Sequence, residues 1–100
     1  GSQAPSQVLS LNPASGAVEA WTRPQAAAGV DMTRFGDQRI VRWKSFDGRP
    51  LSGLLNLPPA RFTGPRPVLV SVHGGPEAQA TMGFLGRFNY LVEELGIAVL

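Results

Sequence analysis

Histidine occurs once in the chain, at position 73, where it opens the run His73-Gly74-Gly75-Pro76. Two successive glycines let a backbone turn tightly and leave its amide N–H groups unscreened by side chains. Pro76 donates no hydrogen bond and makes the exit from the turn rigid. Such a turn can aim an N–H at an oxygen on which negative charge develops, an effect worth about 3 kcal/mol in mutational studies of enzymes. A plain tight turn beside a packed or solvated histidine has the same residue pattern. Spacing alone leaves both readings open.

No nucleophile accompanies the turn. Of the seven serines, none lies in G-x-S-x-G, and Ser71 is enclosed by Val70 and Val72 in an apolar run. Ser45, Asp47 and His73 can be written as a triad, but Ser45 has no nucleophile elbow and shares a hairpin tip with Asp47. Glu93 and Glu94 are neighbours on a helix and face different directions, so they do not form an acid–base pair. The chain has no cysteine, which removes disulfides, thiolate metal sites and a thiol nucleophile. One histidine without H-x-x-x-H spacing offers no zinc site. No metal and no cofactor are expected.

Composition narrows the partners. Hydrophobic residues make up 43% and charged residues 16% of 100 residues, which is globular composition. Eight of the nine basic residues are arginines, scattered from Arg23 to Arg87, and the net charge is +2. No basic run suggests nucleic acid, and Arg42-Trp43-Lys44 reads as a solvated strand edge. No apolar stretch reaches the roughly 20 residues that cross a bilayer, and the first residues lack a signal-peptide pattern. A soluble, cytoplasmic or periplasmic protein with no membrane partner is expected. Oligomeric state is not legible.

The elements that must position the turn follow from local patterns. Val8–Leu11 and Val18–Thr22 flank Asn12-Pro13-Ala14-Ser15-Gly16-Ala17 and read as a hairpin that must pack on something else. Residues 24–38 read as a linker, in which Gly29 stops any helical turn at Ala26-Ala27-Ala28. Arg39–Phe46 and Pro50–Leu57 form a second hairpin about Asp47-Gly48, with Val41 opposite Leu54 and Ile40 opposite Leu55. Pro58-Pro59 ends it, and residues 60–66 are a loop.

The run Pro67–Val72 is apolar on both pleat faces, which predicts a central strand covered on both sides. It delivers the chain directly to His73. Met82–Leu95 carries apolar residues at three- and four-residue steps and predicts an amphipathic helix, with Arg87, Asn89, Glu93 and Glu94 on its outer face and Gly96 closing it. Ile97–Leu100 then opens another buried strand. Strand, helix and strand make a βαβ unit of a larger parallel sheet, so the chain reads as a fragment.

The ordered set Val41–Gly48, Leu54–Pro59 and Pro67–Pro76 resembles the opening of the hydrolase domain in the prolyl oligopeptidase family of serine peptidases. It is most similar to the acylaminoacyl-peptidase and dipeptidyl-peptidase-like branches, where S-x-D-G precedes H-G-G-P. Upstream, Leu11–Gly16 with Trp21-Thr22 resembles the last hairpin of that family's β-propeller. The resemblance implies an α/β class: residues 1–23 end a propeller, 24–38 link, and 39–100 begin an α/β-hydrolase sheet. It implies a peptidase of short peptides with a Ser-Asp-His triad, in which the first-loop oxyanion donor falls on the Gly75 amide while His73 and Gly74 shape the turn. Other branches carry a Tyr hydroxyl at the position of His73, so a backbone donor is favoured here. The triad residues have no counterpart among these positions. The expected partners are a peptide substrate and the remainder of the hydrolase and propeller domains, and the 100 residues alone are expected to be inactive. An esterase or lipase of the same fold, or a non-catalytic interaction fragment, are the alternatives.

Overall fold

In the computed structural model, which describes residues 1–100, the elements run in the order β1 (Leu9–Leu11), β2 (Val18–Ala20), a 3-10 turn (Met32–Arg34), β3 (Arg39–Lys44), β4 (Pro50–Leu55), β5 (Val68–Leu69), α1 (Phe88–Glu93) and β6 (Ala98–Val99). The strands are short and mixed in direction, and the helix is a single short one.

Asn12 organises the first hairpin. Its side-chain oxygen accepts the N–H groups of Ala14 (2.9 Å) and Ser15 (3.2 Å), and its own N–H donates to the Ala17 carbonyl at 2.9 Å. This side chain takes the place of a backbone turn, as asparagine does well. It aligns Leu9 with Ala20 and Leu11 with Val18. All six paired residues are exposed. The expected hairpin is present and lies bare.

The second hairpin forms in a register one residue away from the expected one. Ile40 lies opposite Leu54 and Val41 opposite Gly53. A two-residue loop on Asp47-Gly48 needs φ > 0 at both positions. Only Gly48 adopts it, at 83°, and no residue other than glycine does so anywhere in the chain. The loop is therefore three residues long, Phe46-Asp47-Gly48. It is closed by Gly48 N–H to the Ser45 carbonyl (2.9 Å) and Ser45 N–H to the Arg49 carbonyl (2.8 Å). The left-handed glycine completes a type I turn with a bulge.

β5 and β6 pair in parallel, Val68 with Ala98 and Leu69 with Val99. On the other edge of β6, Val99 and Asn56 exchange both backbone hydrogen bonds, at 2.8 and 3.0 Å, in an antiparallel bridge. β6 is thus a middle strand, flanked by β5 on one side and by the residue that follows β4 on the other. Ala98 and Val99 are buried, as expected for this strand. β5 is not: Val68 and Leu69 are exposed, and so are Val70 and Val72 beyond it. A helix of six residues is long enough to cover β6 alone.

The helix is shorter than its periodicity suggests. It spans Phe88–Glu93, because Gly86 takes φ 57° just ahead of it and Gly83 lies three residues before that. Glycine is a poor helix former, and here two of them truncate the pattern. The buried face also differs: Asn89, Val92 and Glu93 point inward, whereas Met82 and Leu95 are exposed. Asn89 is satisfied by donating its side-chain amide to the Gly86 carbonyl at 3.1 Å.

Glu93 is buried because the helix end is clasped from the loop that follows Pro58-Pro59. Arg61 donates to the Glu93 carbonyl and stands 3.8 Å from its carboxylate. Arg66 donates to the carbonyls of Gly96 (2.8 Å) and Leu95 (3.1 Å). These are carbonyls that a helix C-terminus leaves without partners, and cations are favoured there. The Phe62 ring lies between the two guanidinium groups, 4.9 and 5.0 Å from their central carbons, within cation–π range.

Part of the segment read as a linker is seated. Asp31 caps the 3-10 turn, its carboxylate accepting the Thr33 hydroxyl at 2.6 Å and the Thr33 N–H at 3.0 Å. Phe35 then packs on Phe84 with ring centroids 5.8 Å apart. Even so, only Val92, Ala98 and Val99 are buried apolar residues. The accessible surface is 7852 Å², against about 5500 Å² for a compact monomer of this mass. The radius of gyration is 16.7 Å, where about 13 Å is usual for this length.

Two predictions follow from these contacts. A Cβ on Gly96 would stand 2.5 Å from the Phe62 ring, whereas Gly64, also at positive φ, has nothing within 4 Å. Gly96→Ala should therefore cost about 2 kcal/mol or more in urea unfolding, and Gly64→Ala about 1 kcal/mol, the conformational part alone. Equal losses would show that the Arg61–Phe62–Arg66 clasp is not seated on the helix end. The Thr33 hydroxyl and then the Thr33 N–H, helped by Arg34, hold the Asp31 carboxyl below its ordinary value of 3.8. A depressed acid contributes stability above its unfolded pKa and loses it as pH falls through the folded value. The Thr33 amide resonance should titrate with a midpoint below 3.8, and an ordinary Asp midpoint would remove the cap.

Candidate functional site

The turn at residues 73–76 follows the end of β5 after three residues, Val70-Ser71-Val72. Ser71, two residues before it, donates its N–H to the Leu100 carbonyl at 2.7 Å, while Leu100 donates to Leu69 at 2.9 Å. These bonds continue the parallel ladder beyond the strand proper and fix the root of the turn. The strand expected over Pro67–Val72 is limited to Val68–Leu69 and is exposed rather than covered on both sides.

Gly75 takes φ 71°, in the left-handed region, whereas Gly74 does not. Neither glycine has any atom within 4 Å of where a Cβ would stand, and all four residues of the turn are exposed. The N–H groups of Gly74 and Gly75 donate to nothing within the chain. They present two unscreened donors on one short segment. The His73 Nδ1 lies 3.3 Å from the Gly74 carbonyl, a local contact that holds the ring against its own turn.

The other residues with possible chemistry are dispersed. Asp47 accepts the Arg49 N–H at 3.2 Å and pairs with the Arg49 guanidinium at 3.2 Å, so it is committed to its own hairpin. Glu93 faces Arg61, and Glu94 faces Arg34 at 3.7 Å. The Arg34–Glu94 pair is half exposed on both sides and contributes little. The two carboxylates do diverge as expected, but Glu93 points inward and not to the helix surface. No group of three or more His, Asp or Glu side chains gathers to hold a metal ion, and no helix is long and apolar enough to cross a membrane.

Two cavities accompany these elements. One, of about 250 Å³, separates residues 29–35 from α1 and is lined by Asp31, Arg34, Phe35, Tyr90 and Glu94 among others. Its charges are of both signs, and Arg34 and Glu94 pair with each other. The second, of about 180 Å³, lies beside the root of the turn and is lined by Gln38, Leu54, Ser71, Thr81, Leu85 and Leu100 among others. Residues 73–76 themselves line neither.

The side chains that tie the turn's surroundings together are Gln38, Arg61 and Arg66. Each reaches a partner 30 or more residues away. Sequence reading passes over them because a lone Gln or Arg in a loop carries no local signal of a distant carbonyl or amide. No family model matches the chain, and neither a curated protein nor a solved structure does.

Proposed function

We propose that the chain belongs to a serine peptidase of short peptides and supplies its oxyanion-hole turn, with the Gly75 N–H as donor and His73 and Gly74 as its frame. One observation carries this reading: two exposed glycine amides, one of them on a left-handed residue, donate to nothing in the segment that leaves the carboxyl end of a strand in a parallel pair. Amides in this state are ready to receive charge without first breaking a bond of their own.

The fold is consistent with that role. A parallel β5–β6 pair joined through α1, with Asn56 antiparallel on the outer edge, matches the mixed sheets in which α/β proteins carry an antiparallel edge strand. We read residues 39–100 as the start of an α/β-hydrolase domain and the bare β1–β2 hairpin as the end of a propeller. The large accessible surface and the exposed Val68, Leu69, Val70 and Val72 are what such a part presents to the rest of its protein.

In the reaction, a serine oxygen attacks the acyl carbonyl and negative charge moves onto the carbonyl oxygen. A fixed N–H at about 2.7–3.1 Å from that oxygen stabilises the transition state more than the ground state. The nucleophile and its base and acid partners are residues other than those of this chain, since none of its serines occupies an elbow.

Ala at position 75 keeps the N–H but disfavours the φ of 71° that aims it, so Gly75→Ala in the whole protein should lower kcat by about tenfold or more, with KM nearly unchanged and the circular dichroism spectrum intact. An unchanged kcat in a folded Gly75→Ala protein would remove the oxyanion assignment.

A further inference from the structure

The loop that carries the turn is held at two points only. Between Ser71 and Gly83 no backbone N–H donates a hydrogen bond within the chain. At the near end, Ser71 is bonded to Leu100. At the far end, the Gly83 N–H donates to the Gln38 side-chain oxygen at 2.7 Å. Gln38 is itself buried, although the segment around it is largely exposed.

That burial asks for a reason. A long polar side chain loses rotamer freedom when it is fixed, and its amide loses water. A short, well-placed hydrogen bond to a backbone amide offsets the loss. Gln38 directly precedes β3, so its backbone is anchored by the hairpin. Its oxygen therefore gives the far end of the loop a fixed point on the sheet. Arg39, its neighbour, pairs with Leu55, which adjoins the Asn56 bridge to β6. Both ends of the loop are thus referred to the same strand, β6: through Leu100 at one end and through Gln38, β3 and β4 at the other.

We infer that Gln38 is a positioning residue for the oxyanion turn, acting through the Gly83 amide to hold the far limb of residues 72–82. The inference rests on the reading of Gly75 as the oxyanion donor. With the near limb alone fixed, the turn can swing about Ser71, and the aim of the Gly75 N–H is lost. Displacements of about 1 Å in positioning groups cost up to 100-fold in rate.

The test uses the whole protein with an N-acylated alanine p-nitrophenyl ester as substrate and amide hydrogen exchange as a second readout. Gln38→Met keeps the length and removes the acceptor. Gln38→Glu keeps an acceptor oxygen in place. Gly83→Pro deletes the donor from the other side and carries the test if the Met protein fails to fold. The inference expects Gln38→Met and Gly83→Pro to lower kcat about tenfold with KM within about twofold. It also expects faster exchange at Gly83 in the Met protein, and recovery of both readouts in Gln38→Glu.

If Gly83 exchange rises while kcat is unchanged, and Gly75→Ala still lowers kcat, the positioning role is overturned and the oxyanion reading stands. Equal loss of kcat in the Met and Glu proteins would also overturn it, since packing and not the acceptor would then matter. If neither Gly75→Ala nor the Gln38 variants change kcat, the oxyanion reading fails and this inference fails with it.

Discussion

Val99 is the residue on which the ordered part of this chain converges. Its N–H and carbonyl are both taken by Asn56, while its neighbours Ala98 and Leu100 donate to Pro67 and Leu69 on the opposite edge. β6 is bonded on both edges, and it is also the one strand whose residues are buried. The β3–β4 hairpin, β5 and α1 are each placed by reference to it. Asn56 itself is buried and adds a side-chain bond to the same Val99 carbonyl at 3.4 Å, so the bridge is both a backbone and a side-chain attachment.

The helix and the loop before it serve the same strand from one end. Two arginines donate to the last carbonyls of the α1 turn, and the aromatic ring between them keeps the guanidinium groups oriented. With the Gly96 corner so filled, the chain enters β6 on a fixed path. The turn at residues 73–76 inherits its position from this arrangement: its root is bonded to Leu100, which is the next residue along β6. The hydrogen bonds lie on either side of the turn, at Ser71 and Gly83, and the turn itself uses none of its own amides. That division of labour is what an electrostatic donor site requires.

What was legible in the sequence was local. Asn12-Pro13 with Gly16, and Asp47-Gly48, announce their hairpins because turn chemistry is encoded within a few residues. The β5–α1–β6 order and the buried β6 follow from apolar runs and a change of period. The register of β3–β4 is not legible because Asp-Gly serves two loop types, and only the φ of Asp47 distinguishes them. The helix was overextended because periodicity counts Leu85 and Met82 but is blind to Gly83 and Gly86. Glu93 was placed outside because its burial depends on Arg61, thirty-two residues away. The tether from Gln38 to Gly83 spans forty-five residues and has no local mark at all. The exposure of β5 has no mark in its apolar run, which records what a strand can bury, whereas only the packed neighbours determine what it does bury.

The most direct test is a crystal structure of the whole protein after reaction with a fluorophosphonate, which loses fluoride to a serine and places a strongly polarised phosphonyl oxygen where the oxyanion would lie. The account predicts a labelled serine outside residues 1–100 and the Gly75 nitrogen about 2.7–3.1 Å from the phosphonyl oxygen. A label on one of the seven serines of this chain, or a phosphonyl oxygen held by other donors with the Gly75 amide turned away, would contradict it.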